Sequence, residues 1–219
     1  MGSSIDPIAR YIEYTNLDPK ITGKDVDNLI KEALDHKILG VCVPPFWVKR
    51  AAREIGNNDL QLITTAGYPL GFHMTETKME ETRLALRDGA NEIDVVLNFT
   101  SFAEGLPWTK IELVKLSKLI HDEGAFMKVI VETDLWTSDQ LLKILRLCAD
   151  AGVDFVKTST GYHRAPVSVE IIRSIRGFLP SNVGIKASGG IRSLEVANAL
   201  IEAGADRIGT SSLFNSGKS

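Results

Sequence analysis

Two kinds of hydrophobic pattern alternate along the chain, one short and one longer. Short runs rich in β-branched residues are separated by longer stretches in which apolar residues recur every three or four positions. The first kind predicts buried strands and the second predicts amphipathic helices. Eight strand-like runs follow one another, at residues 12–16, 40–45, 62–69, 92–98, 127–133, 155–160, 184–189 and 207–212.

Helical stretches lie between these runs, and several of them close at a glycine, as helix C-caps do. Strands that alternate with helices in this way predict a parallel sheet. Because eight units follow without a linker, we expect an α/β protein in which residues 1–219 form a single (β/α)8 TIM barrel with a short N-terminal helix. An open doubly wound sheet is the alternative. The clearest helical stretches are 24–37, 75–89, 138–152 and 193–205.

Composition and charge argue against several classes of function. The net charge of -3 gives no basic field, so we expect no nucleic-acid partner. No apolar run is long enough for a membrane helix, and the N-terminus lacks a secretory signal, so a cytoplasmic protein is expected. The two cysteines, Cys42 and Cys148, lie in apolar runs and are interpreted as buried thiols. The four histidines show no metal-ligand spacing, so no metal site is predicted.

Charged residues inside the predicted strands need an explanation. Asp94, Lys128, Glu132, Lys157 and Lys186 lie in otherwise apolar runs, and a buried ammonium group is costly unless it is paired. One interpretation is a structural network in which each lysine pairs with a carboxylate such as Asp94 or Glu132. The other is catalytic. Like charges on adjacent strands, about 4.8 Å apart, lower the pKa of one another and so make a lysine nucleophilic.

Two glycine-rich segments follow the last two strand-like runs, at residues 188–192 and 209–212. Loops in these two places form the recurrent phosphate site of TIM barrels, because glycine lets backbone N–H groups approach the phosphate oxygens. Tight turns alone are the alternative explanation. The predicted substrate- and phosphate-binding residues are Thr160, Gly161, Gly189, Gly190, Arg192, Gly209, Ser211 and Ser212.

Six ordered motifs show a resemblance to a known family. They are VCVPP (41–45), GYPLG (67–71), IDVVLN (93–98), KVIVET (128–133), VKTSTG (156–161) and KASGGIR (186–192). In these motifs, and in their order along nearly the whole chain, the sequence resembles the deoxyribose-phosphate aldolases, which are lyases that form a Schiff base on a (β/α)8 barrel. No single motif is specific, but the six together are.

The resemblance implies roles for particular residues. Lys157 would form the Schiff base, Lys186 would tune it, and Asp94 would relay protons. The implied reaction is the reversible cleavage of 2-deoxy-D-ribose 5-phosphate to acetaldehyde and D-glyceraldehyde 3-phosphate, in carbohydrate and deoxyribonucleotide catabolism, without metal or cofactor. A homo-oligomer, dimer or tetramer, is also expected. Further candidate pocket residues are Glu13, Thr15, Cys42 and Lys128.

The sequence departs from the family pattern at two places. Glu13 stands where many members have aspartate, and residues 215–219 lack the C-terminal tyrosine that some longer bacterial members use to protonate the enamine. Two other functions remain open from the residues themselves. One is a phosphosugar isomerase or synthase in which Lys157 is only an electrostatic clamp, and the other is a phosphometabolite-binding protein without turnover.

Overall fold

The computed structural model describes residues 7–163 and 166–212, which form a closed barrel of eight parallel strands. Each strand pairs with its neighbours in sequence, and β1 closes the barrel against β8 with Ile12 opposite Ile208. The alternative of an open sheet is therefore wrong. The strands are β1 (Ile12–Thr15), β2 (Gly40–Cys42), β3 (Gln61–Ala66), β4 (Glu92–Val96), β5 (Phe126–Ile130), β6 (Phe155–Lys157), β7 (Gly184–Ser188) and β8 (Arg207–Thr210).

Helices occupy the connections between strands and surround the barrel. The predicted short N-terminal helix is a 3-10 helix, and two further 3-10 turns follow β2 and β5, at Pro45–Trp47 and Thr133–Leu135. No helix among the described residues is long and apolar enough to cross a membrane. The N-terminal 3-10 helix is Pro7–Tyr11, and the α-helices are α1 (Gly23–Asp35), α2 (Val48–Ile55), α3 (Thr75–Arg87), α4 (Phe99–Ala103), α5 (Trp108–Asp122), α6 (Ser138–Asp150), α7 (Val169–Phe178) and α8 (Leu194–Glu202).

Capping boxes set the starts of two helices. Before α1, the Thr22 side chain accepts a hydrogen bond from Asp25 N, and the Asp25 side chain accepts one from Thr22 N. Thr137 and Gln140 form the same pair before α6. Each box satisfies two backbone N–H groups that a helix start would otherwise leave unpaired. These local signals fix where the chain leaves the barrel and turns back along its outside.

The two faces of each strand have different environments. In β4, Ile93 and Val95 belong to the apolar core between the barrel and its helices. Because side chains alternate along a strand, Glu92 and Asp94 point to the opposite side, into the barrel. All four side chains are buried. The apolar shell thus supports an interior that contains charge.

Side-chain clamps tie the strands together at the end where they begin. Asn91, Asp154 and Asp206 directly precede β4, β6 and β8. A side-chain oxygen of each accepts a backbone N–H of the preceding strand at 2.8 to 2.9 Å. Three pairs of consecutive strands are therefore fixed in register at the N-terminal face of the barrel. The donors are Leu62, Met127 and Ile185.

Candidate active site

A cavity of about 910 Å³ opens at the C-terminal end of the strands. This is the end at which TIM barrels hold their active sites. The cavity is lined mainly by the ends of β1, β6, β7 and β8 and by the loops that follow them. Ten residues predicted from the sequence line it: Thr15, Lys157, Thr160, Gly161, Gly189, Gly190, Arg192, Gly209, Ser211 and Ser212.

Lys157 is the last residue of β6 and lies at the floor of this cavity, where only 2% of the residue is exposed. Its Nζ donates a hydrogen bond to Asp94 Oδ2 at 2.8 Å. Lys186 lies directly opposite Lys157 in the sheet, and its Nζ donates to the same oxygen at 2.7 Å. One carboxylate oxygen therefore holds two lysine amines side by side.

A second group of charges lies deeper in the barrel. Lys128 forms an ion pair with Glu92 and lies 3.5 Å from Glu13 Oε1 and 3.3 Å from Asp94 Oδ1. Glu13 also pairs with Lys186. Three lysines and three carboxylates are thus buried together, so their formal charges balance. Pairing of this kind is what permits charged groups to be buried in a protein interior.

These carboxylates determine how the buried groups ionise. Burial by itself would raise the pKa of Asp94, but the positive charges of Lys157, Lys186 and Lys128 outweigh burial and lower that pKa. Burial would lower the pKa values of Lys186 and Lys128, but Asp94 and Glu13 reverse the direction and raise both. The expectation that neighbouring lysines lower the pKa of one another is therefore wrong for Lys128 and Lys186, because carboxylates lie between them. Both remain cations near neutral pH.

Glu132 was one possible partner for the lysines in the structural interpretation, and that pairing is wrong. Its carboxylate accepts hydrogen bonds from the backbone N–H of Thr160 at 3.1 Å and from the Thr160 hydroxyl. Among the residues that the structure describes, no lysine or arginine lies within ion-pairing distance of it. The lysines pair instead with Glu13, Glu92 and Asp94.

The glycine-rich segments form one side of the cavity. Gly189 and Gly190 have positive φ angles of 108° and 69°, a conformation that glycine adopts without strain. Neither N–H donates to another described residue, so both are available to an anion. Gly209 instead lies within β8, where a Cβ would come within 3.1 Å of Lys186 Cε. Its lack of a side chain leaves room for Lys186.

The other predicted residues fall into two groups. Thr160 and Gly161 line the cavity, but their donors are already in use. Thr160 donates to Glu132 through both its N–H and its hydroxyl, and Gly161 N donates to Ser159 Oγ at 2.9 Å. Glu13, Cys42 and Lys128 lie outside the cavity lining and are fully buried. Burial, with a further contribution from the negative charge of Asp94, raises the pKa of the Cys42 thiol to about 11.

Several residues that line the cavity were not among the predicted site residues, and Tyr68, Ser159 and Ser188 are three of them. Tyr68 donates its hydroxyl to the Thr160 carbonyl at 3.0 Å, and Ser188 Oγ donates to the Ser159 carbonyl at 2.7 Å. Their residue types are ordinary at strand ends, so only their position at or just after the ends of β3, β6 and β7 would have indicated a role. Across residues 7–163 and 166–212, no three His, Cys, Asp or Glu side chains come together in a way that would hold a metal ion.

A family model described as DeoC/LacD family aldolase matches residues 11–218 of this chain. Among relatives of this chain, a deoxyribose-phosphate aldolase of Thermococcus gammatolerans is 42% identical over 208 residues, covering 94% of this chain and 92% of its own length. One from Brevibacillus brevis is 43% identical over 204 residues, covering 93% and 91%.

Solved structures show the same similarity in three dimensions. An aldolase named QR15 superposes with a TM-score of 0.90 at 36% identity, over 94% of this chain and 92% of its own. A deoxyribose phosphate aldolase from Aeropyrum pernix, described as having a unique tetrameric structure, superposes with a TM-score of 0.88 at 34% identity, over 94% and 87%.

Proposed function

This chain belongs to the DeoC/LacD family of aldolases, and from that premise we propose that it cleaves 2-deoxy-D-ribose 5-phosphate through a Schiff base on Lys157. The reaction is a reversible retro-aldol cleavage that yields acetaldehyde and D-glyceraldehyde 3-phosphate. The observation that carries the assignment of Lys157 is its position. Of the three lysines buried inside the barrel, Lys128, Lys157 and Lys186, it is the one that borders the cavity, and Asp94 and Lys186 lie directly beside it.

The first step is attack of the Lys157 amine on the C1 aldehyde of the open-chain sugar. The carbinolamine loses water and becomes a protonated imine, which draws electrons from the C2–C3 bond. Lys186 lies directly beside the Lys157 amine, and its raised pKa keeps its own positive charge there. Asp94 holds the amine at the cavity floor until the aldehyde arrives.

The second step is removal of the proton from the C3 hydroxyl, and Asp94 is the base within reach, directly or through one water. Its lowered pKa keeps the carboxylate ionised, so that it accepts the proton only while negative charge develops on the C3 oxygen. When the C2–C3 bond breaks, its electrons form an enamine with C1 and the Lys157 nitrogen, and the three-carbon aldehyde leaves. Protonation of the enamine at C2 and hydrolysis then release acetaldehyde.

The 5-phosphate is proposed to bind between the loops after β7 and β8. The unpaired N–H groups of Gly189 and Gly190 would donate to the phosphate oxygens, together with Ser211 and Ser212, and Arg192 would supply positive charge. Thr160 and Gly161 would shape the wall between the phosphate and Lys157, since their donors are already in use.

Reductive trapping tests the proposal. Borohydride added during turnover of deoxyribose 5-phosphate is expected to leave a covalent adduct that peptide mass spectrometry assigns to Lys157 alone. Lys157→Ala should lose both the adduct and cleavage, whereas Lys118→Ala, on the exposed face of α5, should keep both. Full retro-aldol activity in Lys157→Ala would show that the assignment is wrong.

We also propose that residues 1–219 work as one domain, in the cytoplasm, as a homo-oligomer. The tetrameric structure of the Aeropyrum pernix relative supports association, and so do exposed apolar side chains such as Leu106 and Trp108. Both cysteines are free, which fits a reducing compartment. Light scattering on the purified protein would determine whether it is a dimer or a tetramer.

A further inference from the structure

Glu132, the second residue after β5, has two properties that rarely occur together. Its φ angle is 53°, a left-handed conformation that residues other than glycine seldom adopt. Its side chain is also completely buried. A residue held in such a conformation marks a place where the surrounding structure imposes it, and such places cluster at functional sites.

The backbone around Glu132 explains the conformation. Val131 N donates to Lys157 O at 2.9 Å, and Thr133 N donates to Thr158 O at 2.8 Å. Between these two bonds the chain advances by two residues on the β5 side but by only one on the β6 side. Glu132 is therefore the extra residue of a β-bulge beside the strand that carries Lys157. Bulges at barrel rims redirect a side chain away from the direction that regular pairing would give it.

The redirected carboxylate binds Thr160 and nothing else among the described residues. It accepts the Thr160 N–H at 3.1 Å and the Thr160 hydroxyl. These donors are neutral, so Glu132 is a buried carboxylate without a described cation beside it. Such a group is costly to bury, and satisfied hydrogen bonds of good geometry are what keep it in place.

Thr160 connects Glu132 to the wall of the cavity through two further hydrogen bonds. Its hydroxyl oxygen accepts the N–H of Tyr162 at 3.0 Å, and its carbonyl accepts the hydroxyl of Tyr68 at 3.0 Å. Lys157, Thr160 and Tyr68 all line the cavity. Glu132 itself does not line it, so any effect on the substrate must act through Thr160.

We propose that Glu132 is a positioning residue that fixes the wall formed by residues 158–162, against which the sugar is oriented for cleavage of its C2–C3 bond. The inference rests on the proposed function. A role of this kind affects two stages of the reaction differently. Imine formation needs only the Lys157 amine, which Asp94 holds, whereas cleavage also needs the C3 hydroxyl to face its base. Loss of Glu132 should therefore impair cleavage far more than imine formation.

Glu132→Gly is the informative variant, because glycine adopts the positive φ without strain and the substitution removes the carboxylate together with the rest of the side chain. With deoxyribose 5-phosphate, kcat/KM is expected to fall tenfold or more, since small misplacements of a reacting group cost about 100-fold. Borohydride capture of acetaldehyde on Lys157 should change by less than about twofold by the same reasoning. The matched control is Glu123→Gly, at the exposed end of α5, which should leave both measurements unchanged.

A second pair of variants tests the route through Thr160. Thr160→Val removes the hydroxyl and should reproduce the selective loss of cleavage, whereas Thr160→Ser keeps the hydroxyl and should recover most of it. In the double variant Glu132→Gly with Thr160→Val, the loss should be no greater than in the worse single variant. If Glu132→Gly does not fold, Thr160→Val and Thr160→Ser still test whether the wall is positioned through Thr160.

Three results would overturn the inference. They are unchanged cleavage in folded Glu132→Gly, equal losses of cleavage and of acetaldehyde capture in that variant, and identical activities of Thr160→Val and Thr160→Ser. Failure of the proposed function is a separate outcome. In that case the unmodified protein itself would neither cleave deoxyribose 5-phosphate nor capture acetaldehyde on Lys157.

Discussion

At the scale of residues, the central feature is a set of balanced charges inside an apolar barrel. Asp94 is the member that links the two levels of the site. Its Oδ2 accepts hydrogen bonds from Lys157, which borders the cavity, and from Lys186 beside it, while its Oδ1 lies 3.3 Å from Lys128. Removal of this one carboxylate would leave Lys186 and Lys128 without one of their buried counter-charges.

Asp94→Asn is therefore expected to lower kcat by about 100- to 10,000-fold, the range that loss of a general base produces. Acetaldehyde capture on Lys157 in the same variant would show whether the loss lies in imine formation or in cleavage. Asp122→Asn, in an exposed pair with Lys118, is the control. Activity within threefold of the unmodified protein would rule out Asp94 as the base.

Stability should depend on pH in a direction that the shifted pKa values set. Asp94 has a lowered pKa, so it stabilises the fold above its unfolded value of about 3.9, and this contribution is lost as the pH falls towards the folded value. Lys186 has a raised pKa, so its contribution is complete below about 10.4 and is lost above that. Urea unfolding at several pH values should show the difference between the protein and Asp94→Asn shrinking below about pH 4.

The sequence was informative about residues whose type was out of place. A lysine or aspartate in an apolar strand stands out, and Lys157, Lys186 and Asp94 do come together. Glu132 was misinterpreted because the sequence contains no sign of the bulge that turns its carboxylate from the lysines to Thr160. An extra residue in a strand changes neither composition nor hydrophobicity.

At the scale of elements, all eight strands and helices α1, α3, α6 and α8 were predictable from the sequence, but the ends of the strands were not. Each strand-like run extends past the observed strand at its C-terminal end. The run at 155–160, for example, continues three residues beyond β6 (Phe155–Lys157). The extra residues there are themselves buried. Buried loop and buried strand cannot be told apart by hydrophobicity, because the loops of the catalytic face pack into the same interior.

Helix α3 completes the sheet where β3 and β4 separate. Lys78 Nζ donates to Val96 O at 2.8 Å, and Glu81 accepts Gly67 N at 2.7 Å, so both backbone groups are paired although the strands no longer are. Lys78 also binds Glu112 of α5 at 2.7 Å in a fully buried ion pair, and burial lowers the pKa of Lys78. Two helices are thereby fixed to the strand that carries Asp94.

Lys78→Met is expected to destabilise the protein by about 3 to 5 kcal/mol, because it leaves Glu112 as an unpaired buried charge. Adding Glu112→Leu should restore part of that loss, since the unpaired charge is then gone. Urea unfolding of the single and double variants measures both effects. The exposed pair Lys118 and Asp122 is the control and should contribute about 0 to 1 kcal/mol. A double variant less stable than Lys78→Met would contradict the interpretation.

At the scale of the whole molecule, the barrel separates its two ends by task. Lys157, the glycine turns and the cavity lie at the C-terminal end, and the clamps of Asn91, Asp154 and Asp206 lie at the other. This division is general in TIM barrels, where residues at the N-terminal face serve stability. Closure was predictable from the number of units, whereas the clamps were not, because a polar residue before a strand is common in any turn.

An anion bound in the cavity should stabilise the whole barrel, because only the folded chain offers the site. Inorganic phosphate is expected to raise the melting temperature relative to chloride at equal ionic strength, by an amount that grows with concentration. In Gly190→Ala the rise should be smaller, since φ is 69° and a Cβ would lie 3.0 Å from Pro166. Gly177→Ala, with nothing within 4 Å, is the matched control. An equal rise in all three proteins would place the anion elsewhere.

The clamps at the N-terminal face also bear on how freely this barrel could be re-engineered. They hold neighbouring strands in register through contacts that involve no residue of the cavity. Exposed side chains of the loops at the opposite end can therefore be exchanged without touching these clamps. A library of variants confined to those loops would search for new aldehyde acceptors on a barrel whose strands are held in register at the N-terminal face.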